Sequence, residues 1–220
     1  MYDDPYIDPA TGILRNRRGF TSQAELAYFE DLASQRGSIA WLQSPESRQF
    51  DLAHLQSIHR YMFSDVYEWA GSLRKSPLVK GDTLYAAPEQ LEREADKLFQ
   101  QLEHRREKFT GMNRKEFASQ AAYYMSEIDA LHPFREGNGR VQRVFVNQLA
   151  NEQGFQFEWT RIRHHEMHDA SMAALNKNYD SLAQLLERSI ESYQEKSHSR
   201  DLFKGEQERS IEKSSRSFER

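Results

Sequence analysis

Cysteine is absent from all 220 residues of the chain, and this absence removes several classes of functional site at once. Without a thiol, the chain has no disulfide framework, no cysteine nucleophile and no cysteine-ligated metal centre. A reducing compartment such as the cytoplasm is compatible with this composition. Any catalytic group must therefore come from other polar side chains.

Long apolar runs are absent as well. No stretch approaches the roughly 18 consecutive apolar residues that a membrane-spanning helix requires. The N-terminus reads MYDDPYIDPATG, with acidic and turn residues where a secretory signal needs a basic flank and an apolar core. We therefore expect neither a membrane partner nor a Sec-type signal.

Positive charge is not in excess either, since the formal net charge is -4 and the pI is about 6.1. Proteins that coat a nucleic acid backbone use an excess of lysine and arginine, so we expect no direct nucleic-acid partner. What the chain does have is 38% hydrophobic residues, including 13 Phe and 10 Tyr. This composition is sufficient for one packed domain, with or without an appendage.

Apolar residues recur at helical spacing in several segments, which predicts a mainly α fold. The expected bounds of these helices are about 22–35, 51–62, 88–106, 113–132, 139–153, 163–175 and 181–193. Gly37 is expected to end the first helix. The fourth should end at or near His132, because proline disfavours helical geometry in the residue before it. VYEWAG, residues 66–71, is expected to form a short further helix.

Two of the helix starts carry an additional signal. Ser22 with Glu25, and Asn113 with Glu116, have the spacing of a capping box. In that motif the first side chain accepts a hydrogen bond from the backbone of the second residue, whose side chain reciprocates. We therefore expect both pairs to cap their helices.

One segment predicts a different element. LVKGDTLYAAP, residues 78–88, places β-prone ends around Lys80-Gly81-Asp82-Thr83, which indicates the only strand pair expected in the chain. The predicted fold is thus a helical bundle with a small β-hairpin. Residues 1–50 are expected to form an N-terminal arm and a first helix that pack on the core, 51–195 the main domain, and 196–220 a charged tail or linker.

The segment LHPFREGNGRVQR, residues 131–143, joins two of the predicted helices and carries the strongest functional signal. Its Gly-Asn-Gly core, residues 137–139, lets several backbone N–H groups converge at a helix N-terminus, which favours an anion. Arg140 and Arg143 share a face of the first turn, although cations are disfavoured at that end of a helix dipole. The pattern therefore predicts a polyphosphate site.

Two further residues of this segment suggest chemistry rather than binding alone. Glu136 would repel a bare phosphate but could hold Mg²⁺, whose charge bridges carboxylate and phosphate oxygens. His132 is a candidate general base near neutral pH. Separately, His132 could be a simple helix cap and Glu136 could simply pair with Arg140. The conjunction of all these residues favours a site of nucleotidyl or phosphoryl transfer.

A second cluster, RIRHHEMHDA at residues 161–170, offers a competing interpretation. His164 and His168 are four residues apart on a predicted helix, a spacing that can chelate zinc. The HExxH pattern is absent, however, because only Met167 separates Glu166 from His168. A polar helix surface is the favoured interpretation.

Residues 132–143, HPFREGNGRVQR, resemble the signature of the Fic family, written His-x-Phe-x-(Asp or Glu)-Gly-Asn-Gly-Arg-x-x-Arg. The match holds at every specified position, and the resemblance extends over about residues 50–192. It implies the Fic (Fido) fold, a helical bundle with a β-hairpin flap. It also implies a protein adenylyltransferase, which moves AMP from ATP to a hydroxyl group of a target protein and releases pyrophosphate.

The resemblance assigns roles to individual residues. His132 would deprotonate the target hydroxyl, Phe134 would anchor the loop in the core, and Glu136 would ligate Mg²⁺. The α-phosphate would meet Asn138 and the amides of the flanking glycines, whereas the two arginines would serve the β- and γ-phosphates. The implied nucleotide-binding set is Gly137, Asn138, Gly139, Arg140 and Arg143. The flap that clamps the target by strand addition would comprise Lys80, Gly81, Asp82 and Thr83.

Regulation and targets follow from the resemblance alone. Many Fic proteins are inhibited by a Ser/Thr-x-x-x-Glu-Gly/Asn segment whose glutamate pairs with the second motif arginine, here Arg143. Residues 21–26 and 215–220 fit this pattern at five positions and fail at the last. We therefore expect inhibition in trans by a small antitoxin.

Two settings for the chain remain open. It could be a toxin of the bacterial cytoplasm acting on type II topoisomerase subunits, or an effector module exported by a specialised secretion system and acting on small GTPases. A nucleotide-binding interaction module that sequesters a partner is the alternative to an enzyme.

Overall fold

The computed structural model describes residues 4–44, 46, 49–80 and 83–192. Within them the chain is mostly helical, as predicted. The helices are α1 Gln23–Leu42, α2 Leu52–Phe63, α3 Leu91–Arg106, α4 Arg114–Leu131, α5 Asn138–Glu152, α6 His164–Leu175 and α7 Asp180–Ser189. The strands are β1 Val79–Lys80, β2 Thr83–Leu84, β3 Phe155–Phe157 and β4 Ile190–Ser192. Gly81, Asp82 and the predicted tail, 196–220, lie outside the described residues.

α4 lies at the centre of the bundle and packs against α3, α5, α6 and α7. Large and small residues alternate on its surface, so that neighbouring helices approach closely on more than one side. Fully buried side chains of α4 include Phe117, Ala118, Ala121, Ala122, Tyr124 and Ile128. Because the C-terminus of this central helix leads into residues 132–137, the candidate loop is anchored to a helix that packs against four others.

The capping-box prediction is confirmed at α4 and wrong at α1. Asn113 Oδ1 accepts a hydrogen bond from the N–H of Glu116 at 3.0 Å, and Glu116 Oε2 accepts from the N–H of Asn113 at 2.9 Å. Ser22 does precede α1, but its side chain makes no capping hydrogen bond. Spacing alone therefore places a helix start without fixing how the free N–H groups are satisfied.

The prediction that Gly37 ends the first helix is wrong, because α1 continues to Leu42. A Cβ atom at Gly37 would overlap the carbonyl oxygen of Tyr61 and the Cα of Met62, which belong to α2. Gly37 is thus the position where the backbones of α1 and α2 touch. Its missing side chain serves close helix packing rather than termination.

Two other expectations need correction. VYEWAG, residues 66–71, folds into consecutive turns rather than a helix, with Val66 and Tyr67 buried. The hairpin of β1 and β2 is present, but β3 and β4 form a second antiparallel pair in which Phe157 lies opposite Ile190. β4 takes residues that were expected to extend the last helix. Among the described residues, none of the helices combines the length and the apolar character that a membrane span requires.

Candidate active site

His132 lies at the C-terminus of α4, where the chain leaves the helix in a left-handed conformation with φ 44°. Its ring is 5% exposed and packs against Tyr85, which follows β2, with ring centroids 4.1 Å apart. The Nδ1 atom lies 3.4 Å from Asp129 Oδ1, and neither ring nitrogen hydrogen-bonds to a described residue. Nε2 is therefore not engaged by any group of the described chain, and the carboxylate of Asp129 lies beside the other ring nitrogen.

Arg74 fixes the backbone around His132, a role that the sequence did not reveal. It is buried, and its Nε donates to the carbonyl of His132 at 2.8 Å while Nη2 donates to that of Leu131 at 3.2 Å. Nη2 also donates to the carbonyl of Ala86, beyond the hairpin. Burial lowers the pKa of Arg74, yet the carbonyl-rich end of α4 favours a cation there. The guanidinium thus joins the hairpin to the histidine.

The loop after His132 is closed by Phe134 and Asn138. Phe134 is fully buried, as a loop anchor must be. The side chain of Asn138 accepts from the N–H of Phe134 at 2.9 Å and donates to its carbonyl at 2.8 Å. The amide of Asn138 is therefore engaged by the loop itself, so its backbone N–H is the group that it can offer to a phosphate.

His59 of α2 supports this loop from beneath. Its ring stacks on Phe134 with centroids 4.0 Å apart. Nδ1 accepts from the N–H of Gly71 at 2.8 Å, which requires the proton on Nε2, and Nε2 donates to the carbonyl of Glu136 at 3.1 Å. Burial lowers the pKa of His59 to about 3, so the ring is neutral and this tautomer is fixed.

The two glycines of the motif are not equivalent. Gly137 has φ 82°, and a Cβ there would lie 2.5 Å from two ring carbons of Phe63. Gly139 is helical, and a Cβ there would meet nothing within 4 Å. The left-handed conformation that glycine permits is therefore used at Gly137 and not at Gly139.

The N-terminus of α5 leaves part of the predicted anion nest open. The N–H of Gly137 donates to Glu136 Oε1 at 2.9 Å. The N–H groups of Asn138 and Gly139 make no hydrogen bond to any described residue. These two backbone N–H groups, which have no hydrogen-bond acceptor among the described residues and are called the acceptor-free amides below, lie at the positive end of a helix of 15 residues. Such an arrangement favours binding of an anion.

The two arginines of α5 differ in their partners. Arg140 forms an ion pair with Glu30 of α1, lies 3.6 Å from Glu136 Oε1 and places its guanidinium over the ring of Phe63, 4.8 Å from the centroid. Arg143 forms no ion pair or hydrogen bond within the described part of the chain. Burial, followed by the charge of Arg140, lowers the pKa of Arg143.

Both arginines line one groove of about 360 Å³ between α1 and α5. Polar side chains of α1 and α5, and apolar side chains of α1, α2, α5 and the segment after β3, complete the groove. These residues are Asp31, Ser34, Gln35, Ser38, Asn147, Leu42, Met62, Val144 and Trp159. The electrostatic expectation for the motif therefore applies fully to Arg143, whereas Arg140 already has a carboxylate partner.

Glu30 and Tyr67 are two further residues at the site that sequence reasoning missed. Glu30 is 7% exposed, and its Oε2 accepts from the hydroxyl of Tyr67 at 3.0 Å. Burial raises the pKa of Glu30, and the charge of Arg140 opposes that effect. One signal was available, because Leu26, Glu30 and Ser34 fall on one helical face, and a carboxylate on a buried face is rare unless it is paired.

The N-terminal arm also reaches the site. Nε and Nη2 of Arg135, within the motif, both lie 2.9 Å from Asp4 Oδ2. The hydroxyl of Tyr6 accepts from the N–H of Lys75 at 3.0 Å, next to Arg74. The arm thus contacts both the candidate loop and the segment that leads to the hairpin.

The hairpin itself begins close to the histidine. Lys80 pairs with Thr83 and Val79 with Leu84, and the N–H of Tyr85 donates to the carbonyl of Leu78. Val79 and Leu84 are 58% and 73% exposed. The described hairpin therefore presents apolar side chains to solvent, and its second strand leads directly to Tyr85, whose ring packs against His132.

The described residues contain no group of three or more His, Cys, Asp or Glu that could hold a metal ion. His164 and His168, the competing cluster, lie at the surface of α6, where His168 Nδ1 is 3.2 Å from Asp169 Oδ1. Glu136 is a single carboxylate beside the acceptor-free amides. A lone carboxylate next to a phosphate site is typical of Mg²⁺, which completes its shell with water and substrate oxygens.

Comparison with known proteins gives consistent matches. The Fic/DOC family matches residues 49–150. The chain is 40% identical to the protein adenylyltransferase VbhT of Bartonella schoenbuchensis over 87% of its own length and 40% of that protein. It is 36% identical to the probable protein adenylyltransferase y4lH of Sinorhizobium fredii over 86% of its own length and 96% of that protein.

A solved structure is similar over most of its length. The N-terminal Fic domain of a VirB-translocated Bep effector protein from Bartonella quintana, solved with bound ADP, is 28% identical with a TM-score of 0.77. The alignment covers 85% of this chain and 94% of that one. The helical arrangement around the loop is therefore shared with a domain known to hold a nucleotide.

Proposed function

Because the chain belongs to the Fic/DOC family, we propose that it is a protein adenylyltransferase, which transfers AMP from ATP to a hydroxyl group of a target protein. One observation carries this proposal. A buried histidine ring without hydrogen-bond partners is followed by two acceptor-free amides and an unpaired Arg143, all within residues 132–143 of the described chain. The histidine would act as the base, the two amides as the anion site, and Arg143 as the counter-charge.

The proposed reaction uses these groups as follows. Nε2 of His132 takes the proton of the target hydroxyl as its oxygen bonds to the α-phosphorus of ATP. The bond from that phosphorus to the β-phosphate oxygen breaks, and pyrophosphate leaves. The N–H groups of Asn138 and Gly139 stabilise the charge on the α-phosphate oxygens. Arg140 and Arg143 balance the charge of the β- and γ-phosphates.

Glu136 is the residue proposed to hold Mg²⁺, which when bound would offset the negative charge of the phosphate oxygens. Its carboxylate is 35% exposed and contacts its own loop through the N–H of Gly137. It can turn toward a cation without breaking a buried contact. Gly137 lets the loop backbone turn closely against Phe63, and the two amides proposed to meet the α-phosphate follow directly after it.

The hairpin is proposed to hold the target. An extended target segment would pair with the backbone of Lys80, Gly81, Asp82 or Thr83 by strand addition, with Val79 and Leu84 supplying apolar contacts. This mode requires an exposed hydroxyl in an extended loop of the target. By resemblance, subunits of type II topoisomerases and small GTPases are the candidate targets.

Regulation is proposed to act in trans. Arg143 has no carboxylate partner in the described chain, so a glutamate supplied by a small antitoxin could pair with it and displace the γ-phosphate. This setting corresponds to a toxin in the bacterial cytoplasm. Export as an effector is the second setting, since the similar Bartonella quintana domain belongs to a translocated protein.

The test is incorporation of label from ATP into proteins of a bacterial lysate. ATP labelled at the α-phosphate should transfer label in the presence of Mg²⁺, and ATP labelled at the γ-phosphate should not. His132→Ala should abolish labelling, while His168→Ala, at the exposed surface of α6, should leave it unchanged. Equal labelling by the wild type and His132→Ala would reject the enzyme. ATP binding without transfer would instead support an interaction module.

A further inference from the structure

Glu30 is an unusual residue for the core of this chain. It lies on α1, outside the segment that matches the family, and 110 residues from Arg140 in the sequence. Carboxylates are seldom buried unless they are paired, because transfer of a charge from water is costly. Glu30 has two donors, Arg140 and the hydroxyl of Tyr67, so its burial is compensated.

The guanidinium of Arg140 is held on several sides at once. Glu30 binds Nη2, the ring of Phe63 lies beneath the group at 4.8 Å, and Ser34 Oγ is 3.5 Å from Nη1. A long flexible side chain normally loses rotamer freedom when it binds a phosphate. Here that freedom is already restricted by contacts that cross from α1 and α2 to α5.

The carboxylate of Glu30 also offsets a local excess of positive charge. Arg140 and Arg143 lie together at the positive end of α5, where burial, followed by the charge of Arg140, lowers the pKa of Arg143. Facing Arg140 from α2, His59 is neutral and cannot help, whereas Glu136 approaches only to 3.6 Å. Without Glu30, the side chain of Arg140 would be expected to turn away from its neighbour toward solvent.

We propose that Glu30 is a positioning residue, which with Tyr67 fixes the guanidinium of Arg140 at the wall of the groove that Arg143 shares, ready for the β-phosphate of the nucleotide. This inference rests on the proposed function. It differs from an inhibitory role, in which Glu30 would occupy Arg140 and compete with the phosphate. The two roles predict opposite signs when the carboxylate is neutralised.

The experiment compares nucleotide binding by calorimetry for Glu30→Gln, Tyr67→Phe and the control Glu25→Gln. Glu25 is an exposed carboxylate on the same helix. Mg-ATP is the probe for the β- and γ-phosphates, and AMP, which lacks both, is the reference. Circular dichroism verifies that each variant is folded.

Glu30→Gln should weaken Mg-ATP binding about tenfold, the loss expected for one misplaced charge-assisted contact, and change AMP binding less than about twofold. Glu25→Gln should match the wild type. Tyr67→Phe should weaken Mg-ATP binding about twofold to threefold, because it removes one hydrogen bond and keeps the ring stacked on Trp69. A general loss of structure would affect both nucleotides equally.

Unchanged or tighter Mg-ATP binding by folded Glu30→Gln would overturn the proposal, and tighter binding would identify a competitor. If Glu30→Gln does not fold, the test rests on Tyr67→Phe. A Tyr67→Phe protein with the same ratio of AMP to Mg-ATP affinity as the wild type would then overturn the proposal. Absence of nucleotide binding by the wild type would reject the proposed function itself. The two failures are thus separate observations.

Discussion

The two motif glycines should respond in opposite ways to the same substitution, alanine. At Gly137 the backbone is left-handed, with φ 82°, and the new methyl would lie 2.5 Å from two ring carbons of Phe63. At Gly139 the backbone is helical, and the new methyl would meet no atom within 4 Å. Gly137→Ala should therefore damage the fold, whereas Gly139→Ala should damage the binding of nucleotide.

The magnitude for Gly137→Ala has two parts. The left-handed conformation costs a residue with a Cβ roughly 1–2 kcal/mol. Phe63 is fully buried, so its ring has no solvent to move into, and overpacking of such a site costs about 1–3 kcal/mol. The sum is about 2–5 kcal/mol, which for a chain of this size lowers Tm by roughly 4–20 °C.

Gly139→Ala should leave Tm unchanged or raise it slightly, because alanine is favoured over glycine within a helix by roughly 0.5–1 kcal/mol. The space that its methyl would fill is the space beside the acceptor-free amides where a phosphate is proposed to lie. Mg-ATP binding should therefore weaken about tenfold, the effect of roughly 1.4 kcal/mol.

The assay is thermal unfolding followed by circular dichroism, together with calorimetric titration of Mg-ATP into each variant. A Gly137→Ala protein that melts with the wild type would show that Phe63 can withdraw and that the left-handed turn is not required. A Gly139→Ala protein that binds Mg-ATP as tightly as the wild type would show that no phosphate approaches these amides.

Three further predictions concern the supports of the site. Gly37→Ala should lower the free energy of unfolding, measured in urea, by about 2–4 kcal/mol, because the new methyl would overlap the backbone of α2. A change below about 0.5 kcal/mol would contradict the close packing of α1 on α2. Burial lowers the pKa of His59 to about 3 in the folded chain, against 6.5 in the unfolded chain, so protons bind the unfolded state more tightly and the free energy of unfolding should fall below pH 6.5. Between pH 7.5 and 5.0, the wild type should lose about 2 kcal/mol more of this free energy than His59→Gln. An equal loss in both proteins would show that a group other than His59 takes up the proton. Asp129→Asn should lower the rate of AMP transfer about tenfold and leave the KM for ATP unchanged, because it removes the negative charge 3.4 Å from His132 Nδ1. A wild-type rate would show that Asp129 does not orient the histidine ring.

The part of the site that could be predicted is the part encoded by neighbours in sequence. Positive φ at Gly137, the helix end at His132 and the helix start beside Gly139 all follow from local chemistry, as does the capping box of Asn113 and Glu116. Each depends on residues within four positions of one another. Local pattern is sufficient where both partners of an interaction occur in the same short window.

The remaining contacts join distant segments, and no local pattern specifies them. Arg74 meets the carbonyl of His132 from 58 residues away, and Arg135 meets Asp4 from 131 residues away. The local preference of Gly37 predicts a helix end, because the approach of α2 that makes glycine necessary leaves no local signal. The residues of β4 likewise read locally as helix, since their partner strand at Phe157 lies far away in sequence.

These long contacts bear on where the functional unit begins. A chain starting at residue 51 would retain the whole motif, but Arg140 would lose Glu30 and Arg135 would lose Asp4. It would also lose Trp41, which is fully buried and whose Nε1 donates to Gln148 of α5 at 3.0 Å. Removal of the arm and α1 would thus take away the carboxylates that pair with Arg135 and Arg140 and leave an open cavity over α5. The N-terminal segment is therefore a structural part of the site rather than an attachment to it.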